Sequence, residues 1–130
     1  MDTEAVPWRG IAIEEGFEGR SLFPNLTVIG TETQRLEGED ALGEFHFHKV
    51  EVTDIQLPAL LKEAIRTLRP SWYFHLVQAG KMIVIFRGKS FEVVQGDACR
   101  LLEVKEYALA QGIHEDQLRL ERLFENPYDE

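Results

Sequence analysis

The chain has 130 residues and a formal net charge of −9, with 44% hydrophobic and 28% charged residues. That is the length of one domain and the composition of an ordinary soluble globular protein, able to bury roughly two thirds of its unfolded surface. The acid excess works against nucleic-acid binding, because neutralising phosphates with Lys and Arg supplies most non-specific affinity.

The start, "MDTEAVPWRG", lacks the basic segment and apolar core of a secretory signal. No apolar run approaches the ~20 residues that span a bilayer. The one cysteine, Cys99, has no partner for an internal disulfide and reads as a small buried thiol. These features give the expectation of a cytoplasmic protein.

In chain order, "GIAIEEGF" is the first strand candidate, followed by the turn-rich "EGRSLFPN" and a second candidate, "LTVIGTE". "QRLEGEDALGE", 34–44, loses its periodicity, carries Gly38 and Gly43, and reads as a mobile loop. "FHFHKVEV", 45–52, alternates and is rich in β-formers, which predicts a strand. In "DIQLPALLKEAIRTLRP" the residues Leu57, Leu60, Leu61, Ala64, Ile65 and Leu68 share one helical face. Asp54 or a residue just after it is the expected cap and Pro70 the stop, with Leu57, Leu61, Ile65 and Leu68 expected against the sheet.

"WYFHLVQAGKMIVIFRGKSFEVV" then predicts a hairpin turning at Ala79–Gly80, with a second bend at "RGKS", whose "RGK" is the only tight basic cluster between strands. Gly96 and Asp97 open a helix over "ACRLLEVKEYALAQ", with Leu101, Val104 and Ala108 inward and Gly112 at its end. The alternation of Leu118 and Leu120 suggests a short closing strand in "QLRLERLF", with a third helix as the competing reading. The tail "ENPYDE" reads as frayed.

The expected fold class is therefore α+β. It is a ferredoxin-like β-α-β-β-α-β sandwich over 45–124, with an N-terminal β-hairpin extension and loop over 1–43, in a single domain spanning 1–130. "MIVIF", 82–86, is apolar on both faces, unlike a one-sided antiparallel strand. Helices of a two-layer sandwich cover one face only. The other face would then be closed by the N-terminal segment, a ligand or a second subunit, and a homodimer is the expectation.

The runs "WYFHLVQAGKMIVIFRGKSFEV", "GIHEDQLRL" and "IEEGFEGRSLF" resemble a family of small uncharacterised prokaryotic α+β proteins. That family shows a Trp-Tyr-x-His strand, a Lys-x-Ile-Val-x-Phe strand and a Gly-Ile-x-Glu-x-Gln-Leu ending. His48 and His75 fall at its histidine positions. The resemblance implies an intracellular α+β domain and no particular chemistry.

The histidines are the chemistry-bearing candidates. Strand spacing puts His46 and His48 on one face with Val50 and Val52, and His75 on a face with Tyr73 and Val77. If those faces coincide, His46, His48 and His75 could hold zinc, with Glu14 or Glu15 adding a carboxylate. The enzymatic version is an acid–base site on His48 or His75, since imidazole titrates near neutrality. The ordinary reading is imidazoles hydrogen-bonded at a half-buried surface. No G-x-S-x-G elbow, P-loop, dinucleotide fingerprint or H-E-x-x-H helix is present. Cys99 stands where a helix dipole could activate it, but an inert small residue is the simpler reading.

Trp72, Tyr73 and Phe74 open a strand directly after Pro70 and Ser71, which places at least one ring at the rim of the sheet. The carboxylates of "IEEGFE" and "LEGED" read as solvated. The balance favours a binding or protein-interaction module over an enzyme, with His48, Trp72, Tyr73 and His75 as binding residues for a small ligand or protein partner, and no cofactor. The alternative is a small enzyme or metal-binding protein using His46, His48 and His75.

Overall fold

The computed structural model describes residues 6–35 and 44–128. Residues 36–43, most of the expected loop, lie outside the described residues. Six strands form one antiparallel sheet: β1 (Trp8–Ile13), β2 (Thr27–Arg35), β3 (Glu44–Val52), β4 (Tyr73–Gln78), β5 (Lys81–Phe86) and β6 (Lys89–Val94). Their spatial order is β2-β3-β1-β4-β5-β6. The helices are α1 (Leu57–Thr67), α2 (Ala98–Ala110) and the short α3 (Leu120–Leu123). The class is α+β, but the four-stranded ferredoxin-like sheet is replaced by a six-stranded one. Among the described residues, no helix is long and apolar enough to cross a membrane.

Three local signals carry the regular elements. Ala79 and Gly80, both at positive φ (43° and 81°), form the two-residue turn that a tight right-twisted hairpin requires. Thr53 and Gln56 open α1 reciprocally: the Thr53 N–H donates to Gln56 Oε1 at 2.9 Å and the Gln56 N–H to Thr53 Oγ1 at 3.1 Å. This is the geometry of a capping box. Asp54, the expected cap, instead accepts from Trp8 Nε1 at 3.0 Å and ties α1's entry to β1. Asp97 does cap α2, accepting from the Arg100 N–H at 3.1 Å.

The N-terminal strands do not form a hairpin. β1 enters the middle of the sheet, paired with β3 on one side and β4 on the other, while β2 lies outside β3 at the edge. Gly10 makes the insertion possible. A Cβ on it would stand 2.0 Å from the His75 carbonyl oxygen, so only a glycine lets β1 lie this close to β4.

The two larger helices lie on opposite faces. Ile83 and Ile85 share a core with Phe74, Leu76, Val50, Val52 and Trp8 under Leu60 and Ala64 of α1. Met82, Val84 and Phe86 point the other way, into a core with Phe91, Val93 and Leu101, Val104 and Ala108 of α2. The double-sided apolar pattern of β5 thus reflects one helix per face. The expected dimer rested on an uncovered face of this strand, and that face is buried within the chain. Leu118, Leu120 and Leu123 also sink into the α2-side core. The segment "QLRLERLF" is accordingly a turn and short helix rather than a closing strand.

The linker from β1 to β2 closes the rest of the α1 face. Phe17, Leu22 and Leu26 are buried there. Phe17 forms an antiparallel bridge with Leu68, and the Glu18 N–H donates to Thr67 O at 2.7 Å. The tail is docked as far as Tyr128 rather than frayed: Pro127 O accepts from His75 Nε2, and Lys49 Nζ stands 5.8 Å from the Tyr128 ring centroid. Cys99, expected to be buried, is exposed on the first turn of α2.

Candidate functional site

β1 runs alongside β3 until Ile13 stands opposite Phe47. The chain then leaves the ladder in a 3₁₀ turn, Glu14–Gly16. This departure carries two carboxylates toward the β3 face that bears His46 and His48. Glu15 replaces the lost ladder partner with its side chain: Oε1 accepts from the His46 backbone N–H at 2.8 Å, and Oε2 from His46 Nδ1 at 2.6 Å. Glu14 Oε1 accepts from His48 Nε2 at 2.9 Å, and its Oε2 meets Arg20 at 2.9 Å.

His48 is fixed at both nitrogens, because Nδ1 lies 2.9 Å from Thr31 Oγ1 on β2. A carboxylate only accepts, so Nε2 carries the proton toward Glu14, and in the neutral ring Nδ1 accepts from Thr31. Phe23 packs edge-on against the His48 ring and also lies under the Arg20 guanidinium. His48 is nearly covered, with 11% of its side chain exposed, whereas His46 is 40% exposed.

Both carboxylates are acidified. The His48 hydrogen bond holds Glu14 below the ordinary value of 4.5, outweighing partial burial, with Arg20 assisting. Burial pushes Glu15 up, but the backbone N–H and imidazole of His46 together outweigh it and leave the group lowered. A carboxyl whose folded pKa is depressed contributes stability that is present above its unfolded value and is lost as pH falls through the folded one. Wild-type stability in urea should therefore fall between about pH 5 and pH 3, and Glu15→Gln should flatten that fall. Parallel slopes for the two proteins would separate Glu15 from the effect.

Beside Glu15 lies a cleft of ≈ 360 Å³ lined by Glu15, Phe45, Arg69 and Trp72. Trp72 sits tilted against Phe45 with ring centroids 6.1 Å apart, backed by Gly16, where an added Cβ would be 2.6 Å from the indole. Arg69 is anchored at the rim, its Nε donating to Glu15 O at 3.1 Å. The cleft therefore joins an aromatic wall to one cation and one carboxylate.

The other expected residues part company here. His75 and Tyr73 occupy the α2 face, across the sheet from His46 and His48. His75 is buried, with Nε2 donating to Pro127 O at 2.7 Å. The Tyr73 hydroxyl donates to Gln117 O. Together with Ile11, Ile13, Phe47 and Leu123 they line a separate cavity of ≈ 210 Å³. The convergence of three imidazoles that a shared face would allow does not occur, because His75 lies on the α2 face and His46 and His48 on the other. Glu14 and Glu15, weighed as added ligands, do meet the histidines. Arg20, Thr31, Phe45 and Arg69 were not anticipated; they come from non-local pairing and from a linker without periodicity.

Compared with family models, curated proteins and solved structures, the chain matches none. The resemblance carried by the Trp-Tyr-x-His motif gains no support from these comparisons, and the site is read from its geometry.

Proposed function

We propose that the protein is a cytoplasmic binding module whose ligand site is the cleft between Trp72, Phe45, Arg69 and Glu15. The observation that carries this reading is the aromatic wall standing beside a guanidinium at a half-open cavity. Binding sites are commonly concave and mostly apolar, with a few placed polar groups. An indole face favours a planar ligand, and a guanidinium favours an anionic edge on it. Of the sequence-derived binding residues, Trp72 lines this cleft, His48 does not and instead holds Glu14 nearby, and Tyr73 and His75 belong to the opposite face. Self-association has lost its sheet face and is not part of the proposal.

Benzoate, a planar carboxylate, is a suitable probe by ligand-observed NMR. Binding should weaken at least about tenfold in both Trp72→Ala and Arg69→Gln, the loss of about 1.4 kcal/mol that one good contact supplies. Arg69 is exposed, so its variant tests the cleft even if Trp72→Ala is poorly folded. Unchanged benzoate binding in Arg69→Gln, or no binding to the wild-type chain, would remove the cleft from function.

A further inference from the structure

We infer that Glu14, Glu15 and His46 form a binding site for a divalent transition cation of the zinc type. One ligand atom from each lies within 4.8 Å of the others. Zinc bonds to imidazole nitrogen and carboxylate oxygen at ~2.0 to 2.2 Å, so ligand atoms around it stand up to about 4 Å apart. Small rotations of half-exposed side chains close that difference. The donor set narrows the ion: an imidazole beside two carboxylates suits zinc better than magnesium or calcium, which prefer all-oxygen shells, and it has no thiolate to select copper(I).

The surroundings already orient the donors. The His46 backbone N–H holds Glu15 Oε1 and so aims Oε2 at His46 Nδ1. Thr31 fixes His48, and His48 in turn holds Glu14 Oε1. Such outer hydrogen bonds commonly set ligand orientation in metal sites. On binding, the proton between Nδ1 and Oε2 leaves to solvent or moves to Nε2, and both atoms bond the ion instead. Two carboxylates and a neutral imidazole balance the double charge. Arg20, which occupies Glu14 Oε2, is 66% exposed and can swing into water. Three protein ligands leave a fourth position for water, the arrangement of an open rather than a closed zinc site.

The cation site shares Glu15 with the cleft, but neither Trp72 nor Arg69 supplies a ligand, so different variants test the two readings. The test is isothermal titration of the full, tag-free chain with zinc chloride. One zinc per chain is expected, weakened at least about tenfold by Glu15→Gln and by His46→Gln. Cys99→Ser and His114→Gln, which alter exposed groups elsewhere, should leave it unchanged. Melting of each variant without zinc reports folding, and Glu14→Gln replaces any variant that fails to fold. Absence of zinc uptake by the wild-type chain overturns the inference, as does uptake indifferent to Glu14, Glu15 and His46 or lost with Cys99→Ser. The cleft is judged by benzoate binding to the wild-type chain and to Trp72→Ala and Arg69→Gln, none of which alters a zinc ligand, so the two readings fail separately.

Discussion

Gly10→Ala should cost about 3 kcal/mol, the upper end of the usual range for overpacking. The added methyl would stand 2.0 Å from the His75 carbonyl oxygen, 3.1 Å from its carbon and 3.4 Å from Leu76 Cδ2. The first two are backbone atoms of β4, so no rotamer change relieves the contact; a strand must move. β1 is the strand that joins the β2-β3 half of the sheet to the β4-β5-β6 half. Displacing it disturbs Trp8 and Ala12 in the α1-side core and the Ile11–Ile13 wall of the other face. Gly30→Ala is the matched control. Its Cβ would meet only Lys49 Cδ at 3.7 Å, an ordinary contact, so its effect should stay within about 0.5 kcal/mol. Equal urea midpoints for the two variants would show that the β1–β4 approach does not limit stability.

That glycine also marks where the sequence stops being legible. The local devices were readable: the Ala79–Gly80 turn, the periodic α1, the Gly96–Asp97 start of α2. Each depends on residues within a few positions of one another. The double-sided apolar pattern of "MIVIF" correctly implied that both faces of β5 needed cover. It did not say that α2 would take the second face, because helix side is set by connections and by which strands become neighbours. The insertion of β1 between β3 and β4 pairs residues 34 to 68 positions apart, from Ile13 with Phe47 to Arg9 with Val77. Its sequence trace is a glycine and an alanine at alternating inward positions, Gly10 and Ala12, which a strand-propensity reading treats as weakness. The site divided the same way. Strand parity placed His46 and His48 together correctly. Their partners depended on β1 ending at Ile13, and the position of His75 depended on the faces that the helices chose.

Leu60→Ala should be the most costly of the α1 truncations, at about 2 to 5 kcal/mol. The apolar arc of this helix spans Leu57, Leu60, Leu61, Ala64, Ile65 and Leu68, and the spacing alone does not say which line along it points at the sheet. The sequence expectation centred on Leu61. In the fold the central line is Leu60, Ala64 and Leu68, each at most 1% exposed, while Leu57, Leu61 and Ile65 are half-buried on the flank. The reason lies in what covers the helix. The small side chain of Ala64 lets α1 approach the sheet closely along that line, and the bridge between Phe17 and Leu68 holds its C-terminal end down. Truncating Leu60 removes a fully enclosed side chain that its close-packed neighbours can replace only in part. Leu61→Ala leaves a gap that solvent and its neighbours fill, and should cost about 1 to 2 kcal/mol. Urea denaturation of the two variants decides between the alignments. A larger loss for Leu61→Ala would mean that α1 is rolled by one residue, with Leu61 rather than Leu60 facing the sheet.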